Sequence, residues 1–153
     1  RGLALAHQKF GKLPWKDVVL PAVELAEKGF VVNGPLAKAL NKVLADKNTT
    51  DPEFRRVYGK AGGKEPWQPG DTLILPDLGK TLRAVAESGP DAFYTGDLAA
   101  LFEKTAVAGG SRATAADLGK YRAVERQPVR GTYRGYDVIG LPPPSSGGTA
   151  LVE

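Results

Sequence analysis

The stretch Leu141-Pro142-Pro143-Pro144-Ser145-Ser146-Gly147-Gly148 constrains the fold more than any other part of the sequence. Val138, Ile139 and Leu141 close an apolar run, and the prolines that follow fix φ near −65° and remove three successive backbone donors. Neither a strand ladder nor a helix continues through such a segment. Two hydroxyls and two glycines come next, and Thr149-Ala150-Leu151-Val152 can then open a helix. Glycine permits positive φ and the close approach of another backbone. A turn of this composition presents serine Oγ atoms and free N–H groups at a helix start. The residues alone favour a packed corner between two elements over a ligand contact. Ser145, Ser146, Gly147 and Gly148 are nevertheless the candidate binding residues of the chain.

The hydrophobic pattern before that corner is mostly helical. Pro14 suits a first helical turn, and Trp15, Val18, Val19, Ala22, Leu25 and Ala26 recur at helical spacing up to Gly29. Pro21 inside that run predicts a kink or a division into two short helices. Asn33 reads as an N-cap ahead of Pro35, with Leu36, Leu40, Val43 and Leu44 on one face. From Asp46 to Asp71 the composition turns to Asn, Thr, Gly, Pro and charge, which predicts a surface excursion with one short helix after Pro52. Its Trp67 reads as a mobile cover over an apolar patch. Leu78, Leu82, Val85 and Ala86 mark a helix between Pro76 and Gly89-Pro90. Leu98, Leu101, Phe102 and Thr105 mark another, between Gly96 and Gly109-Gly110, and Thr114 with Asp117 opens a short one as a capping box.

After Tyr121 the period changes. Val124, Pro128-Val129, Thr132 and Tyr133 predict a strand with a proline-bearing edge, and Tyr136 to Leu141 its partner across a tight turn at Arg134-Gly135. Five helices followed by a hairpin give an α+β class with an incomplete sheet. The expected layout is a single partial domain over 1–153, helical over 1–121, with strands over about 123–141 and a turn and helix start over 142–153. A lone hairpin is marginal in water. With Arg1 at the start, no methionine and an apolar run at the end, the chain reads as an internal piece of a longer polypeptide.

The net charge of +4 comes from Lys and Arg interleaved with Asp and Glu, a solvated mixed surface without the clustered stripe that nucleic acid binding requires. Without cysteine there is no disulfide, thiolate nucleophile or thiolate metal site. The apolar runs are far below membrane-spanning length, so this segment is not expected to insert. His7 is the single histidine, and its place beside Leu3-Ala4-Leu5-Ala6 reads as an ordinary helix position rather than a catalytic base. Gly79-Lys80-Thr81 ends like a phosphate loop, but Ile74 stands where the first glycine belongs. Asp91, Asp97, Glu103, Asp117 and Glu125 show no metal-ligand spacing, and Asp91 and Asp117 suit helix starts. Arg122, Arg126, Arg130 and Arg134 recur every four residues, but Pro128 and Gly131 break any helix there, leaving surface positions and ion pairs. No complete catalytic apparatus emerges.

Seven stretches, taken in order, carry a resemblance. They are Leu13-Pro14-Trp15 with Val19-Leu20-Pro21-Ala22 and Leu25-Ala26; Gly29-Phe30-Val31-Val32; Gly70-Asp71-Thr72-Leu73; Gly89-Pro90-Asp91-Ala92-Phe93-Tyr94-Thr95-Gly96; Asp117-Leu118 with Tyr121; Ala123-Val124-Glu125-Arg126 with Pro128; and Tyr133-Arg134-Gly135-Tyr136 leading into the Pro142–Gly148 run. Together they resemble the large subunit of gamma-glutamyltranspeptidase, a glutathione hydrolase among the N-terminal nucleophile hydrolases.

The resemblance implies the mainly helical portion of an αββα sandwich. It implies a zymogen that cuts itself in two, with a small subunit whose N-terminal threonine attacks the gamma-glutamyl amide of glutathione or a related donor, its own amino group acting as base. Water, an amino acid or a peptide then takes the acyl group, without metal or organic cofactor. The nucleophile belongs beyond Glu153 and the arginine that grips the donor carboxylate before Arg1, so no catalytic residue is transferred and the isolated chain is expected to be inactive. The family's substrate-binding serine and glycine pairs lie in the small subunit. Ser145, Ser146, Gly147 and Gly148 match a large-subunit motif instead, which leaves them to shape the pocket or support maturation. A periplasmic or secreted address also follows from the resemblance. Two other readings stand beside it: a related amidohydrolase or acylase with another acyl donor, and a non-catalytic helical binding module.

Overall fold

A computed structural model describes residues 1–46 and 51–152 of the chain. The chain divides into two compact units, Arg1 with Leu3–Tyr121 and, after it, Arg122–Glu153. The expected surface excursion from Asp46 includes 47–50, which lie outside the described residues, as does Glu153.

In the first unit α1 (Gly2–Phe10) leads into α2 (Trp15–Lys28), which is followed by β1 (Phe30–Val31), α3 (Gly34–Ala45) and α4 (Pro52–Tyr58). A 3-10 turn at Lys60–Gly63 precedes β2 (Thr72–Leu73) and α5 (Pro76–Ser88). A second 3-10 turn, Pro90–Phe93, then leads to α6 (Gly96–Ala108) and α7 (Ala115–Lys120). Pro21 does not divide α2, which is one continuous helix. Its packing against α5 holds it across the proline: Trp15 Nε1 donates to the Val85 carbonyl at 2.9 Å near one end, and the Ala26 carbonyl accepts from Leu75 N at 2.8 Å near the other. Gly79 lies at the crossing, where a Cβ would sit 2.5 Å from Glu27 Cγ. Gly79 of the Gly-Lys-Thr triplet is therefore explained by helix packing. Arg83 clamps the same crossing, its Nε and Nη2 donating to the two oxygens of Glu27 at 2.9 and 2.6 Å.

The main core gathers Val32, Ala37, Leu40, Leu44, Trp67 and Leu73. Asn33 caps α3 as expected, its Oδ1 accepting from Leu36 N at 2.9 Å. The buried stripe of that helix is Ala37, Leu40 and Leu44, spaced i, i+3, i+7. Val43, expected on it, lies one position off and is 40% exposed.

Trp67 is the main correction to the sequence reading. It is 5% exposed, packed into the core with Phe54 and Tyr58 of α4 leaning on the same cluster. Its indole N–H donates to the Tyr58 carbonyl at 2.8 Å. Asn41 binds its backbone on both sides, Oδ1 accepting from Trp67 N at 2.8 Å and Nδ2 donating to Trp67 O at 2.9 Å. The described part of the excursion is thus fastened to α3 through its tryptophan.

Asp71 extends the fastening. Its carboxylate accepts from Lys60 Nζ at 2.8 Å and Gln68 N at 2.7 Å, and its carbonyl accepts from Val32 N. The short antiparallel pairing of β1 with β2, which the sequence reading missed, begins beside it with Val31 opposite Thr72. The Lys60 ammonium, and then the Gln68 amide, hold the Asp71 carboxyl below its ordinary pKa. A carboxyl with a depressed folded pKa stabilises the fold fully above its unfolded pKa of about 4, and that contribution is lost as pH falls through the lower folded value. Acid unfolding of the wild-type polypeptide should therefore steepen below about pH 4, and Asp71→Asn should flatten that acid limb in a urea-midpoint series. An unchanged limb would remove Asp71 from the account.

The second unit, described by itself, contains the hairpin of β3 (Val129–Tyr133) and β4 (Tyr136–Gly140), followed by α8 (Ser146–Val152). Tyr133 pairs with Tyr136 and Val129 with Gly140. The turn falls at Arg134-Gly135 as expected, both at positive φ (49° and 83°). The first strand begins at Val129, and Val124, 72% exposed, lies outside it. Arg122, Arg126, Arg130 and Arg134 are all exposed, as the sequence pattern indicated. The class is α+β as expected, with eight α-helices and two small antiparallel sheets among the described residues; α4 and α8 fall where a short helix after Pro52 and a helix start after the prolines are expected, and the β1–β2 sheet is the addition.

Candidate functional site

The corner between β4 and α8 is built from backbone rather than from side-chain chemistry. β4 ends at Gly140, and Pro142 O accepts from Ser145 N at 3.2 Å, turning the chain across the prolines. The Pro143-Pro144 bond is cis. α8 then packs back on the end of β4 so closely that a Cβ on Gly140 would lie 2.5 Å from Gly148 Cα. A Cβ on Gly148 would strike the Leu141 carbonyl and sit 2.8 Å from Leu141 N.

The four candidate residues therefore separate. Gly148 is buried at the helix–strand contact, Ser145 is half-buried, and Ser146 and Gly147 are exposed. Gly147 has open space around it, with Ser145 Oγ at 3.9 Å from a built Cβ. The sequence motif thus combines a packing element, Gly148, with an accessible rim, Ser145 to Gly147. Nothing in the sequence distinguished the two glycines, because the contact comes from a strand eight residues earlier.

His7 occupies the helical position expected of it in α1. It has a local role there, with Nε2 2.8 Å from the Leu13 carbonyl, which makes that nitrogen the donor, and its ring edge-on to Trp15 at 5.4 Å. No group of three or more His, Asp or Glu able to hold a metal ion occurs among the described residues. No helix among them is long and apolar enough to cross a membrane.

A concavity in the first unit went unnoticed in the sequence. It measures about 370 Å³ and is lined by Phe93, Tyr94, Phe102, Ala113, Asp117 and Tyr121, with Thr114 and Leu118 completing it. Of its aromatic residues the sequence pattern marks Phe102 as a helix position, while Phe93, Tyr94 and Tyr121 stand in stretches that carry the resemblance. Asp91 pairs with Arg1 at 2.8 Å beside it, and the capping box at Thr114 and Asp117 forms as expected. Hydrogen bonds from the Thr114 hydroxyl and backbone N–H hold the Asp117 carboxyl below its usual range.

The relatives of this chain include enzymes named as proenzymes. The sequence profile of the gamma-glutamyltranspeptidase family matches residues 1–153, and the chain belongs to that family. It is 41% identical over 152 residues to the glutathione hydrolase proenzyme of Escherichia coli (strain K12), covering 99% of this chain and 26% of that protein. It is also 39% identical over 153 residues to the acylase ACY 1 proenzyme of Pseudomonas sp. (strain V22), covering 100% of this chain and 27% of the relative. Among solved structures, gamma-glutamyltranspeptidase of Helicobacter pylori superposes with a TM-score of 0.91 at 34% identity, covering 98% of this chain and 42% of that one. The chain thus spans about a quarter of the length of the curated relatives it matches.

Proposed function

We propose that the polypeptide to which this chain belongs is a gamma-glutamyltransferase and glutathione hydrolase, and that these residues form an internal part of its large subunit. The observation that carries this reading is the family match along the whole chain, with 41% identity to a glutathione hydrolase proenzyme. The polypeptide cuts itself, and the threonine freed at the new N-terminus of the small subunit attacks the gamma-glutamyl carbonyl of glutathione or a related amide. The amine or thiol-bearing peptide leaves with a proton returned by the threonine's amino group. Water completes hydrolysis, and an amino acid or peptide completes transfer. No metal or organic cofactor takes part, and the address is periplasmic or secreted.

In this scheme the chain supplies a surface rather than a nucleophile. Leu3 and Phe10 of α1 are 84% and 81% exposed, and in the second unit Tyr136, Leu141 and Leu151 are 76%, 70% and 72% exposed. Apolar surface of that extent is consistent with cover by further polypeptide, the small subunit included. Ser145, Ser146 and Gly147 form the rim that shapes the pocket or supports maturation, and Gly148 fixes where that rim stands.

The acylase relative, at nearly the same identity, favours a second reading with another acyl donor. Following hydrolysis of a gamma-glutamyl anilide by the full-length parent, together with its self-cleavage on a denaturing gel, separates the two. Two subunits with turnover are expected; cleavage without turnover selects the acylase reading, and neither would leave a non-catalytic module. The isolated 153-residue chain should show no turnover.

A further inference from the structure

The aromatic concavity is held open by its surroundings. Phe93 and Tyr94 come from the 3-10 turn and the residue after it, Phe102 from α6 and Tyr121 from the C-cap of α7. Phe93, Phe102 and Tyr121 remain 39%, 37% and 50% exposed around a space of about 370 Å³, a volume within the range of small-ligand sites. Arg1 fastens the back of it. Its guanidinium lies 4.4 Å from the Tyr94 ring centroid, pairs with Asp91, and donates to the carbonyls of Gly119 at 3.0 Å and of Tyr121. The Tyr94 and Tyr121 rings stack at 5.7 Å. Walls fixed in this way require little ordering when something enters.

The electrostatics select the sign of the occupant. Of the residues lining the space, Asp117 carries the charge; both of its bonds from Thr114 fall on Oδ2 and neither on Oδ1, and the Lys120 ammonium, which also acts on this carboxylate, lies outside the lining. Ring faces are negative at their centres and attract cations, so walls and carboxylate act in the same direction. The positive charge of Arg1 is engaged with Asp91 and is not part of the lining. We propose that this cleft binds an apolar ring carrying a cationic amine, with the ring between Phe93 and Phe102 and the ammonium at Asp117.

The test uses the full-length parent protein and ligand-observed NMR titration with phenethylamine, against 3-phenylpropionate as the same ring with opposite charge. The amine should bind about tenfold more tightly than the acid, and added salt should narrow that ratio. Ala113→Leu should fill the space and abolish amine binding while leaving the unfolding midpoint unchanged. Equal binding of amine and acid overturns the charge assignment. No binding of either, or amine binding that survives Ala113→Leu, overturns the site itself, the latter including an amine held as an acyl acceptor elsewhere in the protein.

Discussion

Trp67→Ala should lower the stability of the first unit by about 3–5 kcal/mol, the range for removing a large aromatic side chain from a packed core. Trp67 is 5% exposed among Val32, Leu40, Leu44 and Leu73, so its loss leaves a cavity bounded by side chains on two helices and a strand. It also removes the donor to the Tyr58 carbonyl. That oxygen then loses its partner at a half-buried position, which adds to the cost. Trp67→Phe retains most of the ring volume and loses the N–H, so about half the effect is expected from the smaller cavity and the unmade bond together. Urea unfolding with an unchanged slope would show that the midpoint shift is a stability change. A loss below about 1 kcal/mol for Trp67→Ala would mean that the segment carrying it is a detachable cover, as the sequence alone had suggested.

That contrast shows which features could be read from the sequence. Helix ends were legible because their signals are local: Asn33 bonds three residues ahead, and Thr114 and Asp117 close their box within one turn. The turn at Arg134-Gly135 and the strands beside it followed from alternation and a glycine. Trp67 was misread because its partners, Asn41 and Tyr58, are separated from it by polar sequence that resembles a loop in composition. The two-residue strands β1 and β2 are too short for any periodicity and are defined only by each other. At Pro21 the expected division into two helices does not occur, since local propensity ignores the packing of α2 on α5. For the candidate site, the motif located the corner, but the close approach of α8 to β4 that assigns a role to each glycine is a tertiary contact. The aromatic cleft was invisible for the same reason, its rings being scattered from Phe93 to Tyr121.

Gly148→Val should destabilise the second unit by about 3 kcal/mol or more, at the upper end of overpacking, while Gly147→Ala should be neutral or stabilising by up to about 1 kcal/mol. The opposite signs follow from adjacent residues with different surroundings. At 148 a Cβ meets the Leu141 carbonyl and amide and the end of β4 at Gly140, all backbone atoms that cannot turn aside as a side chain would. Relief requires α8 to move off the strand, which displaces the Ser145 to Gly147 rim at its start. At 147 a Cβ enters open space, and replacing glycine by alanine in a helix lowers the backbone entropy lost on folding. Paired unfolding curves of the two variants in the full-length parent give the stability difference directly. The same preparations, followed for self-cleavage on a denaturing gel, then test the rim. If Gly148→Val slows cleavage while Gly147→Ala leaves it unchanged, the geometry of the corner is what maturation requires. If Gly147→Ala slows cleavage at undiminished stability, the exposed rim takes part in it by contact. Two variants alike in both readouts would mean that the close approach of α8 to β4 is not the reason for the glycine pair.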